Sequence, residues 1–225
     1  MSSSGKRVIV IRHGEECRKK KIEKIQTKIG LTNQGAVRTS LMPEIIHKLV
    51  GDEPYELHTY THMEHNEPTS RAFYTTQLLE TTPMLYEKSD DIKQLVENIK
   101  KSKAKNIIVF WEHNLVCHIM HQLIGLKPDW EDTAKKIYKK LGKKYKLMDK
   151  VMVNLADLNE IKYCSDEFLK ENMEVRDYYI KPSDDISYSL VWDIDYGNKS
   201  YKVFPNYIIK KVKDDENAFK VIKYL

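Results

Sequence analysis

The stretch Val8-Ile9-Val10-Ile11-Arg12-His13-Gly14-Glu15 decides how this chain is read. Four consecutive β-branched residues mark a strand buried on both faces, and the abrupt switch to Arg-His-Gly marks its exit into a loop. A second stretch repeats the pattern, with Asn106-Ile107-Ile108-Val109-Phe110-Trp111 running into Glu112-His113-Asn114. Strands of this kind belong to parallel sheets covered by helices, and the loops at their carboxyl ends form the site. His13 and His113 are therefore expected to meet at one sheet edge, although they are far apart in the chain.

The intervening segments supply the helices. Val37, Leu41, Ile45, Ile46 and Leu49 recur at helical spacing, with Thr32 as an expected N-cap, Gly51 as the stop and Pro43 as a possible kink. Glu56 to Thr61 alternates like a strand. Ser70 to Leu79 reads as a helix, as does Asp90 to Lys101 with Ile92, Leu95, Val96 and Ile99 on one face. Leu115 to Leu123 is a helix closed by Gly125, and Trp130 to Leu141 is a further one. Asp166 to Met173 is a weaker helical pattern. The expected fold is α/β, a three-layer α/β/α arrangement with a mostly parallel central sheet. Ser187–Tyr196 and Lys199–Ile209 flank Gly197-Asn198 and read as a C-terminal β-hairpin, with Pro205 placing its second strand at a sheet edge. No repeat or low-complexity linker divides the chain. It reads as one domain over 1–225, with a core at about 6–150 and an extension at about 151–225.

Composition narrows the function classes. The chain has 225 residues, 41% apolar and 32% charged, which fits a globular protein rather than a disordered one. No apolar run reaches the roughly 20 residues needed to span a bilayer, and no membrane partner is expected. Cys17, Cys117 and Cys164 are odd in number and widely spaced, which points to a reducing, cytoplasmic setting without a disulfide framework. The net charge of +5 is spread as lysine without interleaved aromatics, so nucleic acid is not the expected partner. Oligomeric state is not legible. His58, His62 and His65 have spacings compatible with a metal, yet no thiolate or carboxylate pattern joins them, and neither metal nor cofactor is expected.

The chemistry-bearing residues do converge. Arg12 stands beside His13, and Arg71 opens the helix that follows the strand lying between the two histidine strands. Two imidazoles and two guanidiniums at one edge make a pocket for a tetrahedral dianion. Arginine binds phosphate oxygens bidentately and stays charged, and fixed cations stabilise a phosphoryl group in transfer. A neutral imidazole attacks phosphorus when one ring nitrogen is held and the other faces the substrate. Gly14 is expected to let the backbone approach and donate its N–H. Glu15, Arg18, His62 and Asn114 are further candidates for holding phosphate or substrate. Proton delivery to the leaving oxygen calls for a carboxylic acid, with Glu112 and Glu64 as the leading candidates.

These residues also resemble a known family. Arg12-His13-Gly14-Glu15, Leu31-Thr32-Asn33-Gln34-Gly35, Ser70-Arg71-Ala72 with Thr75-Thr76, and Trp111-Glu112-His113 are similar, in order, to the four motif blocks of the histidine phosphatase superfamily, which includes the phosphoglycerate mutases. The resemblance spans residues 6 to 125. It implies that His13 becomes phosphorylated and that Arg12, Arg71 and His113 hold the phosphoryl group of a small phosphorylated substrate. The implied activity is metal-independent hydrolysis of a phosphomonoester, with a mutase-like phosphotransferase or a non-catalytic phosphate-recognising module as alternatives. Some positions depart from the family pattern. Arg38 stands where glutamine is common, His62–Thr69 replaces a Ser-Pro stretch, and Asn114 replaces the aspartate that phytase-like members use as proton donor. The short interval from Arg71 to His113 implies that the mutases' capping insertion is missing.

Overall fold

Strand β1 (Arg7–Arg12) lies at the centre of a six-stranded sheet, with Val8 to Ile11 fully buried. The computed structural model describes residues 5–14, 31, 33–61, 63–64, 67–68, 70–141, 150–154, 158, 188–212 and 215–225. Helix α1 (Asn33–Val50) follows and runs through Pro43 as one element until Gly51, whose φ of 65° ends it. Next come β2 (Tyr55–Tyr60), a short ribbon of β3 (Met63–Glu64) and β4 (Glu67–Pro68), and helix α2 (Arg71–Thr76). Then follow β5 (Met84–Tyr86), α3 (Ile92–Lys101), β6 (Asn106–Trp111), α4 (His113–Ile124) and α5 (Trp130–Leu141). The remaining elements are β7 (Lys150–Asn154), β8 (Leu190–Asp195), β9 (Ser200–Pro205), β10 (Tyr207–Val212) and β11 (Asp215–Lys223).

The sheet order is β5-β2-β6-β1-β8-β9, and the first four strands are mutually parallel. Right-handed crossovers then fix the helix layers. The connections β1–α1–β2 and β2–α2–β5 move one way across the sheet, and β5–α3–β6 moves the other way. Accordingly α1 packs on α2, and α3 packs on α4. This is the expected α/β/α arrangement with a mostly parallel sheet. The apolar positions read as helix faces pack inward: Ile92, Leu95, Val96 and Ile99 on α3 and Val37, Ile45, Ile46 and Leu49 on α1 are buried, and Leu41 is half-buried.

The C-terminal hairpin extends this sheet. Strand β8 joins β1 antiparallel, with Ile11 opposite Val191, and β9 forms the edge, where Pro205 needs no partner for the N–H it lacks. A bidentate ion pair from Arg7 to Asp193, at 2.7 and 2.9 Å, fastens β1 to β8.

Four features differ from the sequence expectation. The hairpin turn holds Tyr196 to Lys199 rather than two residues, because the Asp195 carboxylate accepts from both the backbone and side chain of Asn198. The second strand breaks at Asn206, and β10 turns away to pair with β11 in a separate antiparallel sheet ordered β10-β11-β7. Strand β5, at the other edge, is too short to show in the pattern. Helix α2 stops at Thr76, short of Leu79. Thr32 and the helical pattern at Asp166–Met173 lie outside the described residues.

Arg38 explains how the two sheets are joined. It is fully buried on α1, and its guanidinium donates to the Tyr207 carbonyl (3.0 Å), Asn206 Oδ1 (3.3 Å) and Ser189 Oγ (3.4 Å). It therefore ties α1 to the Asn206 break and to the residue that precedes β8. Replacing it with leucine removes donors from three buried acceptors, and we predict that Arg38→Leu costs about 2–4 kcal/mol. Urea unfolding measures this, and a loss below about 0.5 kcal/mol would contradict the assigned role.

Candidate active site

The site is built where β1, β6 and β2 end together. Arg12 pairs with Trp111 and Thr59 with Phe110, so the three parallel strands terminate at one level. His13 follows β1, and its backbone N–H donates to the Trp111 carbonyl at 3.3 Å. Glu112 lies past the end of β6 as the N-cap residue of α4, in extended conformation (φ −73°, ψ 138°), and His113 opens that helix. Being beyond the strand frees Glu112 from the alternation that would have turned it away from the edge.

Arg71 reaches the same edge through Ser70. The Ser70 hydroxyl donates to the Tyr60 carbonyl at the end of β2 (2.6 Å) and accepts from the Phe73 N–H (3.0 Å), capping α2. Arg71 is the first residue of that helix. Its Nη2 lies 3.4 Å from Glu112 Oε1, which also accepts the Tyr60 hydroxyl at 3.1 Å. Glu112 is thus an anchor between the second arginine and the β2 strand end.

His13 is almost wholly buried, at 1% exposure. Its Nδ1 lies 2.7 Å from the Gly14 carbonyl. A carbonyl only accepts, so Nδ1 carries the proton and Nε2 keeps the lone pair. Burial holds the imidazole well below its usual pKa of 6.5, and the Arg12, Arg71 and His113 charges push it in the same direction, against the Gly14 hydrogen bond. The ring is a neutral base beside two permanent cations.

Gly14 serves differently from expectation. Its N–H does not face the crevice but donates to Thr75 Oγ1 at 2.8 Å, and that hydroxyl in turn donates to the Arg71 carbonyl at 2.7 Å. A Cβ at Gly14 would lie 3.0 Å from Leu31 Cδ2 and 3.3 Å from both the Gly35 carbonyl and Thr75 Oγ1. Glycine is needed here for close approach, and Thr75 links the His13–Gly14 loop to the helix that carries Arg71.

Among the other expected residues, Asn114 is exposed on the first turn of α4. Glu64 is placed by its backbone in the ribbon that joins β2 to α2. Glu15, Arg18, His62 and His65 lie outside the described residues. His58 is buried on β2, with Nδ1 2.8 Å from the Tyr86 hydroxyl and Nε2 3.4 Å from Glu56. Trp111 is core, donating to the Ser89 carbonyl at 2.8 Å and meeting Tyr60 and Tyr86 edge-on. His118 and His121 are exposed on α4.

Sequence reasoning did not single out Tyr188 or Trp130. Tyr188 lies with its ring centroid 3.5 Å from Arg12 Cζ and meets the His13 ring edge-on at 6.1 Å. Trp130 meets His113 at 5.9 Å and stacks on Trp192 at 5.3 Å. The signal for Tyr188 was available: an antiparallel strand begins where its parallel neighbours end, so the residues just before β8 fall at the edge that holds His13.

No family model matches the chain, and no curated protein does. Among solved structures it is similar to a candidate alpha-ribazole-5'-P phosphatase from Escherichia coli, with 12% identity, TM-score 0.39, and coverage of 54% of this chain and 81% of the other. It is also similar to the open reading frame Rv3214 product of Mycobacterium tuberculosis (11% identity, TM-score 0.41, 54% and 81%). A candidate SixA phosphohistidine phosphatase from Nakamurella multipartitia covers more of the chain (7% identity, TM-score 0.40, 89% and 94%). Likenesses this weak decide nothing about the chemistry, which rests on the chain's own residues.

A depressed histidine pKa carries a stability signature. The unfolded chain takes up the proton near pH 6.5 while the folded His13 does not, so acidification through that window favours unfolding, by up to about 1.4 kcal/mol per pH unit. His58, also held low by burial, acts in the same sense. Comparison with His13→Gln isolates this histidine: the variant loses less stability than the wild type between pH 7 and 5 by urea unfolding. Equal losses would show that His13 is not held neutral.

Proposed function

We propose that the chain is a metal-independent histidine phosphatase, a hydrolase of phosphomonoesters that works through a phosphohistidine on His13. The observation that carries this reading is the state of that ring: neutral, with Nδ1 held by the Gly14 carbonyl and Nε2 left with its lone pair beside Arg12, Arg71 and His113. The lone pair of Nε2 forms the N–P bond as the bond from phosphorus to the ester oxygen breaks, and that oxygen leaves with a proton taken from a carboxyl group. Water then attacks phosphorus, the N–P bond breaks, inorganic phosphate departs and the water's proton returns to the carboxylate. Arg12 and Arg71 hold the charge on the phosphoryl oxygens throughout, and His113 donates a hydrogen bond to them. The substrate is a small phosphorylated molecule and the setting cytoplasmic. Among the described residues no helix is long and apolar enough to cross a membrane.

The carboxyl group is Glu112 or Glu64. Glu112 has Oε1 engaged by Tyr60 and Arg71, which suits an anchor, while Glu64 belongs to the ribbon bordering the same edge. A proton donor matters most when the leaving group is basic. We expect the donor's Gln variant to lose about 10²–10³-fold on an alkyl phosphate but little on p-nitrophenyl phosphate. We expect His13→Ala to abolish release of phosphate from both, and Arg71→Ala to lower kcat/KM by about 10²–10³-fold. Phosphate release by His13→Ala at the wild-type rate would overturn the phosphohistidine on His13, and none by the wild type would overturn the enzymatic reading in favour of a phosphate-recognising module.

A further inference from the structure

The extension beyond the four motif blocks adds a residue to the site. Strand β8 runs antiparallel to β1, so it starts at the edge where β1 stops. With Ile11 opposite Val191, Leu190 falls beside Arg12, and the two residues before it fall beside His13 and Gly14. The chain is held firmly there. The Ser189 carbonyl accepts the Asn206 N–H at 2.7 Å, and its hydroxyl donates to the Tyr207 carbonyl at 3.0 Å and accepts from the buried Arg38. Tyr188, 6% exposed, is thereby fixed with its ring against the Arg12 guanidinium, at 3.5 Å from Cζ to the centroid.

We infer that Tyr188 is a positioning residue: by stacking on Arg12 it holds the guanidinium plane so that its N–H fork meets the phosphoryl group on His13. A planar cation on an aromatic face keeps its charge while losing water from that face, and its N–H bonds lie in its own plane, pointing outward from the stack. The edge contact of the same ring with His13, at 6.1 Å and 66°, places nucleophile and arginine against one rigid surface. The role needs an aromatic face and no hydroxyl chemistry. It rests on the phosphatase reading, in which Arg12 binds the phosphoryl group.

The test is a double-mutant cycle on orthovanadate binding and on p-nitrophenyl phosphate turnover, using Tyr188→Phe, Tyr188→Leu, Arg12→Lys and Tyr188→Leu with Arg12→Lys. Tyr188→Phe keeps both activities within about twofold. Tyr188→Leu weakens vanadate binding and kcat/KM on the order of tenfold, while in the Arg12→Lys background it causes no further loss. Should the leucine variant fail to fold, Tyr188→Met fills similar volume without a ring and is read in the same way. Equal losses in both backgrounds, or a phenylalanine variant as impaired as the leucine one, would overturn the role. If the wild type neither binds vanadate nor releases phosphate, the phosphatase reading fails and the inference falls with it. An additive cycle in an active enzyme removes Tyr188 alone.

Discussion

Everything at the site depends on the register between β1 and β6. Parallel neighbours lie about 4.8 Å apart, and pairing Arg12 with Trp111 ends both strands at one level, which brings His13 beside the start of α4. A slip of one residue would turn Arg12 and Trp111 to opposite faces and carry the histidines apart. The continuous burial of Val8–Ile11 and Ile107–Trp111 makes that slip costly, because an apolar side chain left in water forgoes about 1.5–3 kcal/mol. The core thus does chemical as well as structural service, fixing where two imidazoles stand.

Burial then sets the state of the His13 imidazole. A histidine enclosed by protein and flanked by two guanidiniums does not take up a second ring proton near neutral pH, so His13 stands beside them as a neutral base rather than as a third cation. The cations are kept in place from separate directions: Arg71 by Glu112 and the Ser70 cap, Arg12 by Tyr188. Thr75 connects the two halves by accepting from Gly14 and donating to the Arg71 carbonyl. Motif blocks far apart in the chain are coupled through short hydrogen bonds as well as through proximity.

The legible parts of the chain were those with local signals. Uninterrupted β-branched runs announced β1 and β6, and helical spacing announced α1, α3 and α4, from which the parallel order and the meeting of His13 with His113 followed. The less legible parts depend on distant partners. Strand β5 has three residues, too few for a period, and the second sheet begins where a strand its own pattern would continue is broken at Asn206, which the buried Arg38 contacts from helix α1. The direction of Gly14's N–H was beyond sequence, since it is decided by a threonine on another helix. Tyr188 was reachable only by combining the hairpin with the antiparallel sense of its pairing to β1.

The central claim is that the Nε2 of His13 forms a bond to phosphorus. The most direct measurement is phosphorus NMR of the protein quenched in base during turnover of a phosphomonoester, alongside His13→Asn treated identically. A phosphoramidate signal that is stable in base, lost in acid and missing from the variant is the predicted result. Turnover by the wild type without such a signal, or the same signal in His13→Asn, would contradict the account.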